Sequence, residues 1–244
     1  MQVDSLALTM RPRAPHEAAD LGIRLCQASA REVYACYLLV AIPTALLAFS
    51  LYDIAPFWTG LLMWCAKPWL DRTVLFVLSR AAFGQRTRIS DLWREQRTVW
   101  WRQFFSTWTL RRLSPWRSFT QPVFQLEGLP FGHRRKRVLQ LRRRYTTSAM
   151  MMTSGFSFAE TGISLALVSL LYWFAPPGQT FEWSAFVSGI GADYVTMTFA
   201  LSYLLTVLFL EPFYVAAGFG MYLNRRAELE AWDIEQEFRR AFAA

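Results

Sequence analysis

The sequence predicts an all-α, polytopic transmembrane helical bundle of about four spans, with cytoplasmic amphipathic helices attached. Three observations carry this. Hydrophobic residues make up 54% of the 244 positions, and they sit in long blocks with the charges between them, as membrane chains arrange them. Two blocks are interrupted by a charged residue followed by proline, at Lys67-Pro68 and Glu211-Pro212. The basic residues are also one-sided. Residues 84–150 hold fifteen Arg or Lys against the acids Asp91, Glu95 and Glu127. The turn at Asp53 and the loop 176–193 hold no basic residue at all. The positive-inside rule then puts both termini and the central region in the cytoplasm, a parity that four spans satisfy.

Taken in order, Pro15 suits the first turn of a helix. The following segment carries Leu21, Leu25 and Ala28 on one side, which predicts an amphipathic helix on the membrane surface or a solvated extension of the first span. Val33 to Tyr52 is uncharged, and about 20 residues cross the hydrocarbon core. Pro43 is expected to kink it. Asp53-Ile54-Ala55-Pro56 reads as a tight external turn.

Phe57 to Phe83 reads as one helix broken at Lys67-Pro68, with a re-entrant half-helix as the alternative. Lys67 and Asp71 are four apart and can pair on one face. Met150 to Ala175 contains a third span with Glu160 inside it, and residues 176–193 form an external loop. Tyr194 to Leu223 is the fourth, broken at Glu211-Pro212. Beyond it, Ala227, Ala231, Ile234 and Phe238 recur at helical spacing on a charged tail, giving one apolar stripe.

Between the second and third spans the chain is rich in arginine and tryptophan. Trp93, Trp100 and Trp101, and the run Arg134, Arg135, Lys136, Arg137, Arg142, Arg143 and Arg144, suit a headgroup zone. There indole rings sit at the boundary and guanidinium groups meet phosphates. The run binds anionic lipid, or serves only as a topology signal. Ser114-Pro115 reads as an N-cap and first helical position, and Pro122 as a limit on that helix.

The net charge of +8 does not argue for nucleic acid, because the basic runs flank apolar helices. The histidines, His16 and His133, are far apart in the chain, and a zinc site needs more ligands. Cys26, Cys36 and Cys65 show no CxxC spacing and read as reduced packing residues. No metal, cofactor or catalytic set is expected.

The chain reads as a single membrane domain, 1–244. Residues 15–106 and 132–244 look like two halves joined by 107–131. Each half has a basic amphipathic lead, a span, an external link and a proline-interrupted span. Both enter from the cytoplasm, so the repeat would be parallel, about an axis along the membrane normal.

The pieces DLGIRL, KPWLDRTVLFVLSRAAFG, LRRLSPWRSFTQPVFQLEGL and PFYVAAGFGMYLNRRAELEAWDIEQEFRR cover most of the chain. In that order they resemble a family of bacterial inner-membrane proteins of unknown biochemical role, encoded beside MoxR-type AAA ATPases. The last piece also resembles the membrane domain attached to some glycerophosphodiester phosphodiesterases, whose catalytic barrel has no counterpart here. The resemblance implies a non-enzymatic scaffold or accessory role in an envelope assembly, with membrane or cytoplasmic partners that include a MoxR-type ATPase system. It places the chain in the inner membrane.

Ionisable groups inside spans are costly unless they face the bundle interior and pair. At ~1.5 Å per residue from the external side, Lys67 lies roughly 16 Å deep, Asp71 and Glu160 about 22 Å and Glu211 about 25 Å. Lys67, Asp71, Glu160 and Glu211 can therefore share one layer. The sharpest expectation is a Lys67–Glu211 ion pair, alone or in a network with the other two. Three uses compete: a scaffold held together by the cluster, a transporter or ion- or lipid-binding protein using the carboxylates, and an intramembrane acid–base enzyme.

Overall fold

The computed structural model describes residues 13–54, 56–101, 114–174 and 192–230. Among these the chain is helical, with no strand. In order come α1 (Pro15–Ala28), α2 (Ala30–Phe49), α3 (Pro56–Ala81), α4 (Ile89–Arg94), a π-helical turn (Arg97–Trp101), α5 (Arg117–Gln125), α6 (Phe131–Arg142), α7 (Thr146–Trp173) and α8 (Ala192–Glu230). Two of these, α2 and α8, are long and apolar enough to cross a membrane. Most of the expected external loop 176–193 and the striped tail from Ala231 onward lie outside the described residues. So do residues 1–12, 55 and 102–113.

The 39-residue α8 is the central element. It packs against α1, α7, α3 and α5, and its second half meets Gly22 of α1 and Ser118 of α5. From Glu211 to Arg225 nearly every residue is buried. The small residues there let other backbones come close. A Cβ on Gly22 of α1 would overlap the Ala216 carbonyl, and one on Gly220 would overlap Ala18. On another side of the helix, a Cβ on Gly218 would meet Ser118 of α5. Only glycine allows such approach. Helix α1 therefore docks along α8, burying Ala18, Gly22 and Cys26.

Neither charged residue–proline step breaks its helix. Both α3 and α8 run through, with Pro68 and Pro212 inside them. Proline removes a single N–H donor, and a helix continues when neighbours take up the carbonyls so loosened. Beside Pro212, whose missing N–H would have bonded the Leu208 carbonyl, Tyr34 of α2 donates to the adjacent Phe209 carbonyl at 2.7 Å, and Tyr37 to the Val207 carbonyl at 3.3 Å. Pro122 likewise sits inside α5, which begins at Arg117 after the turn at Pro115-Trp116.

The tryptophan region divides. Trp93 and Trp101 are 61% and 67% exposed. Trp100 is 8% exposed, its ring tilted against Trp69 and edge-on to Trp93, and its indole N–H donates to the Thr73 hydroxyl at 3.0 Å. The tight contact of π-helical turn and α3 pulls it inward. Helix α5 is buried from Arg117 to Val123 and packs on α8. The proposed halves pair their long helices alike, α2 with α3 and α7 with α8. Their lead helices differ, since α1 runs along α8 while α6 leans mainly on α5.

Candidate functional site

The polar residues of α3, α5, α7 and α8 converge on one ionic network. Lys67 Nζ lies 2.7 Å from Glu211 Oε2 and 2.7 Å from Glu160 Oε2. Arg117 reaches Glu211 Oε1 at 2.5 Å with one nitrogen and Asp71 Oδ2 at 3.1 Å with another. Lys67 and Asp71 are thus not paired along α3; each turns to a different neighbour. The guanidinium of Arg117 also lies over the Tyr214 ring, 5.1 Å from its centroid.

Burial grades across the network. The side chains of Asp71 and Glu211 are 0% and 3% exposed, and that of Glu160 is 20% exposed. Glu211 is the junction, with two cations on one carboxylate. Asp71 depends on Arg117, for its oxygens are shielded and make no hydrogen bond. Glu160 shares Lys67 with Glu211 through one oxygen. Buried ions of this kind hold only while paired.

The network forms one end of a cavity of about 1080 Å³ between α3, α7 and α8. Lys67, Arg117, Glu160 and Glu211 line its charged end, with Ser114 and Pro115. Phe57, Leu61, Trp64, Leu165 and Phe199 line the rest. Along α7, Thr153, Ser157, Glu160, Thr161 and Ser164 face the cavity. Their spacing of three and four puts them on one side of a helix. Thr153 is within 3.4 Å of the Tyr214 hydroxyl, and Ser164 donates to Thr206 at 3.0 Å.

Two groups escaped the sequence reading. Arg117 sits in a basic stretch that composition assigns to the interface. A charge count points to it, because Lys67 alone faces three carboxylates. The hydroxyl face of α7 was legible as a 3–4 spacing and was overlooked because each hydroxyl residue is ordinary in an apolar helix.

The basic run splits between internal and outward roles. Arg134 donates to the Leu129 carbonyl at 2.6 Å, and Arg142 lies 3.4 Å from the Trp116 ring centroid. Arg137 bridges Glu127, at 3.2 Å, and Glu230. Arg135, Lys136, Arg143 and Arg144 are exposed.

A second polar network closes the far end of α8. Asn224 pairs with the backbone of Arg13, accepting from its N–H at 3.0 Å and donating to its carbonyl at 2.8 Å. It also donates to Tyr145 at 2.6 Å, and the Tyr145 hydroxyl donates to Glu228 at 2.5 Å. Burial pushes the Tyr145 hydroxyl above its ordinary pKa, and the bond to Glu228 adds to this. Arg226 pairs with Glu230 at 2.7 Å, and Tyr222 donates to Glu127 at 2.8 Å.

No protein-family model, curated protein or solved structure matches the chain.

Proposed function

We propose that this chain is a multi-pass inner-membrane protein with four spans, α2, α3, α7 and α8, and both termini in the cytoplasm. It works without catalysis, as an accessory protein that binds an amphiphile from the membrane in the cavity between α3, α7 and α8.

One observation carries this reading: the molecule is polar inside and apolar outside. Lys67, Asp71, Arg117 and Glu211 are buried, while Leu46, Leu47, Phe158, Leu165, Leu170 and Phe209 are exposed. Water penalises that arrangement and lipid favours it. Only 33% of the apolar window of α2 is buried, unlike the core helix of a soluble protein. The cavity then opens an elongated, largely apolar space with a charged end, the shape of a site for an amphiphile. Exposed Trp93, Trp101, Arg135, Lys136, Arg143 and Arg144 fit the cytoplasmic headgroup zone of anionic lipid. The accessory role beside a MoxR-type ATPase rests on the sequence resemblance.

The topology test is cysteine labelling of intact cells. Gly178→Cys should react with an impermeant maleimide and Ser114→Cys should not; the reverse pattern would overturn the orientation. The partner test is purification from native membranes, where a stoichiometric ATPase subunit is expected.

A further inference from the structure

Two carboxyl groups meet inside the bundle. Asp71 of α3 and Glu211 of α8 take up the same edge of the Arg117 guanidinium: Nε lies 3.1 Å from Asp71 Oδ2, and Nη2 lies 2.5 Å from Glu211 Oε1. In a bidentate arginine–carboxylate pair such an edge holds both oxygens of one carboxylate. Here it holds one oxygen from each of two, and the two side chains come within hydrogen-bonding reach of each other. Ionised carboxylates are acceptors only, so two of them in contact repel without bonding. Asp71 is fully buried, neither of its oxygens makes a hydrogen bond, and Arg117 Nε, though close, does not donate to it.

The charges leave the same gap. Among the described residues, the cations within ion-pair distance of Asp71, Glu160 and Glu211 are Lys67 and Arg117. Arg72 lines a recess beside Gln121 and Gln125. Two cations against three carboxylates leave one negative charge over, which is costly where water is excluded. Glu211 has both cations, and Glu160 has Lys67 at 2.7 Å. The surplus therefore falls on Asp71. The tyrosines around it are otherwise engaged. Tyr37 of α2 donates to the Val207 carbonyl, Tyr214 lies under Arg117 with its hydroxyl 3.4 Å from that of Thr153, and Tyr203 lies beside Lys67.

We infer that the bundle binds one proton between Asp71 and Glu211, carried chiefly by Asp71, and keeps it at neutral pH. That proton removes the surplus charge and supplies the missing donor, so that one carboxyl hydrogen-bonds to the other. It also sets the charge at the polar end of the cavity, because Glu211 holds Lys67 and Lys67 holds Glu160. Without it, two cations must be divided among three carboxylates, and the ion pairs joining α3, α5, α7 and α8 rearrange. The site does not depend on what the cavity takes.

The test uses the full chain in detergent micelles. A protonated carboxyl group shows an infrared carbonyl stretch apart from the carboxylate bands. The unsubstituted protein should show such a band at pH 7. Asp71→Asn should remove it and stay folded, because the amide resembles the neutral acid in shape. Unfolding exposes the carboxyls, which ionise at about pH 4 in water, so it releases the proton. The native state thus binds one proton more than the unfolded state, and its stability falls as pH rises. Between about pH 6 and 8 the unfolding constant of the unsubstituted protein should climb about tenfold per pH unit relative to that of Asp71→Asn. Glu211→Gln should also remove the band, since Asp71 then has Arg117 to itself and ionises. Absence of the band at pH 7, or its survival in Asp71→Asn, would overturn the proton. So would an equal pH slope in the two proteins, or an Asp71→Asn variant that unfolds at neutral pH. Persistence of the band in Glu211→Gln would overturn the sharing between the two carboxyls.

Discussion

Glu211 and Glu230 lie on the same helix, about 28 Å apart along its axis, and each binds two cations. Glu211 holds Lys67 and Arg117 at 3% side-chain exposure, while Glu230 holds Arg137 and Arg226 at 27%. The difference lies in what surrounds the pair. Around Glu211 little solvent reaches the carboxylate to stabilise a lone charge, so each ion there relies on its partners. Around Glu230 solvent can replace a lost partner, and paired charges add little. Similar residues thus act as obligatory fasteners at one end of α8 and as replaceable ones at the other.

Arg117→Met should break this comparison most sharply. It leaves Asp71 buried with no cation, and removing one partner of a buried pair costs about 3–5 kcal/mol. Thermal unfolding in detergent should show the largest loss of the series. Adding Asp71→Asn should recover part of it, with a coupling of roughly 1–3 kcal/mol; strictly additive losses would separate the two residues.

Lys67→Met should come second. Glu211 keeps Arg117, and Glu160 has some access to the cavity, so only part of the penalty remains. Glu211→Gln should cost less again, because Lys67 retains Glu160 and Arg117 retains Asp71. A loss from Glu211→Gln exceeding that from Arg117→Met would invert the hierarchy of the network.

At the other end of α8, Asn224→Ala removes the bonds to the Arg13 backbone and to Tyr145. Leaving such buried groups unpaired costs about 1–3 kcal/mol. Limited proteolysis should then cut near Arg13 before the bundle unfolds. Arg226→Ala should be mildest, about 0.5 kcal/mol, and should fade as salt is raised. Cys26 offers a check on α1. Burial pushes its thiol pKa up to about 11, so at neutral pH it stays protonated and should resist alkylation until α1 leaves α8.

What the sequence made legible follows from how far each signal acts. Hydropathy is local, so α2 and α8 could be read directly. The partnership of Lys67 with Glu211 was legible because an ion inside an apolar helix demands a partner, and few are on offer. Arg117 was not, since nothing local says that a basic stretch turns inward. The burial of Trp100 was hidden for a related reason: its position depends on Thr73 and Trp69 of a different helix. Proline marked the places where α3 and α8 lose a hydrogen bond, but whether a helix stops there depends on neighbours. Tyr34 and Tyr37 tie α2 to the carbonyls on either side of the one that Pro212 leaves open. The docking of α1 rests on glycines that composition treats as featureless.

The link between Arg13 and Asn224 joins positions 211 residues apart. At roughly 5–20 residues per second, translation separates them by about 10–40 s. During that time α1 has been made and the surface that receives Gly22 has not. Among the described helices α1 must wait for α8, exposing until then the face that carries Ala18, Gly22 and Cys26. The docking of α1 is therefore a late event, set by the arrival of α8.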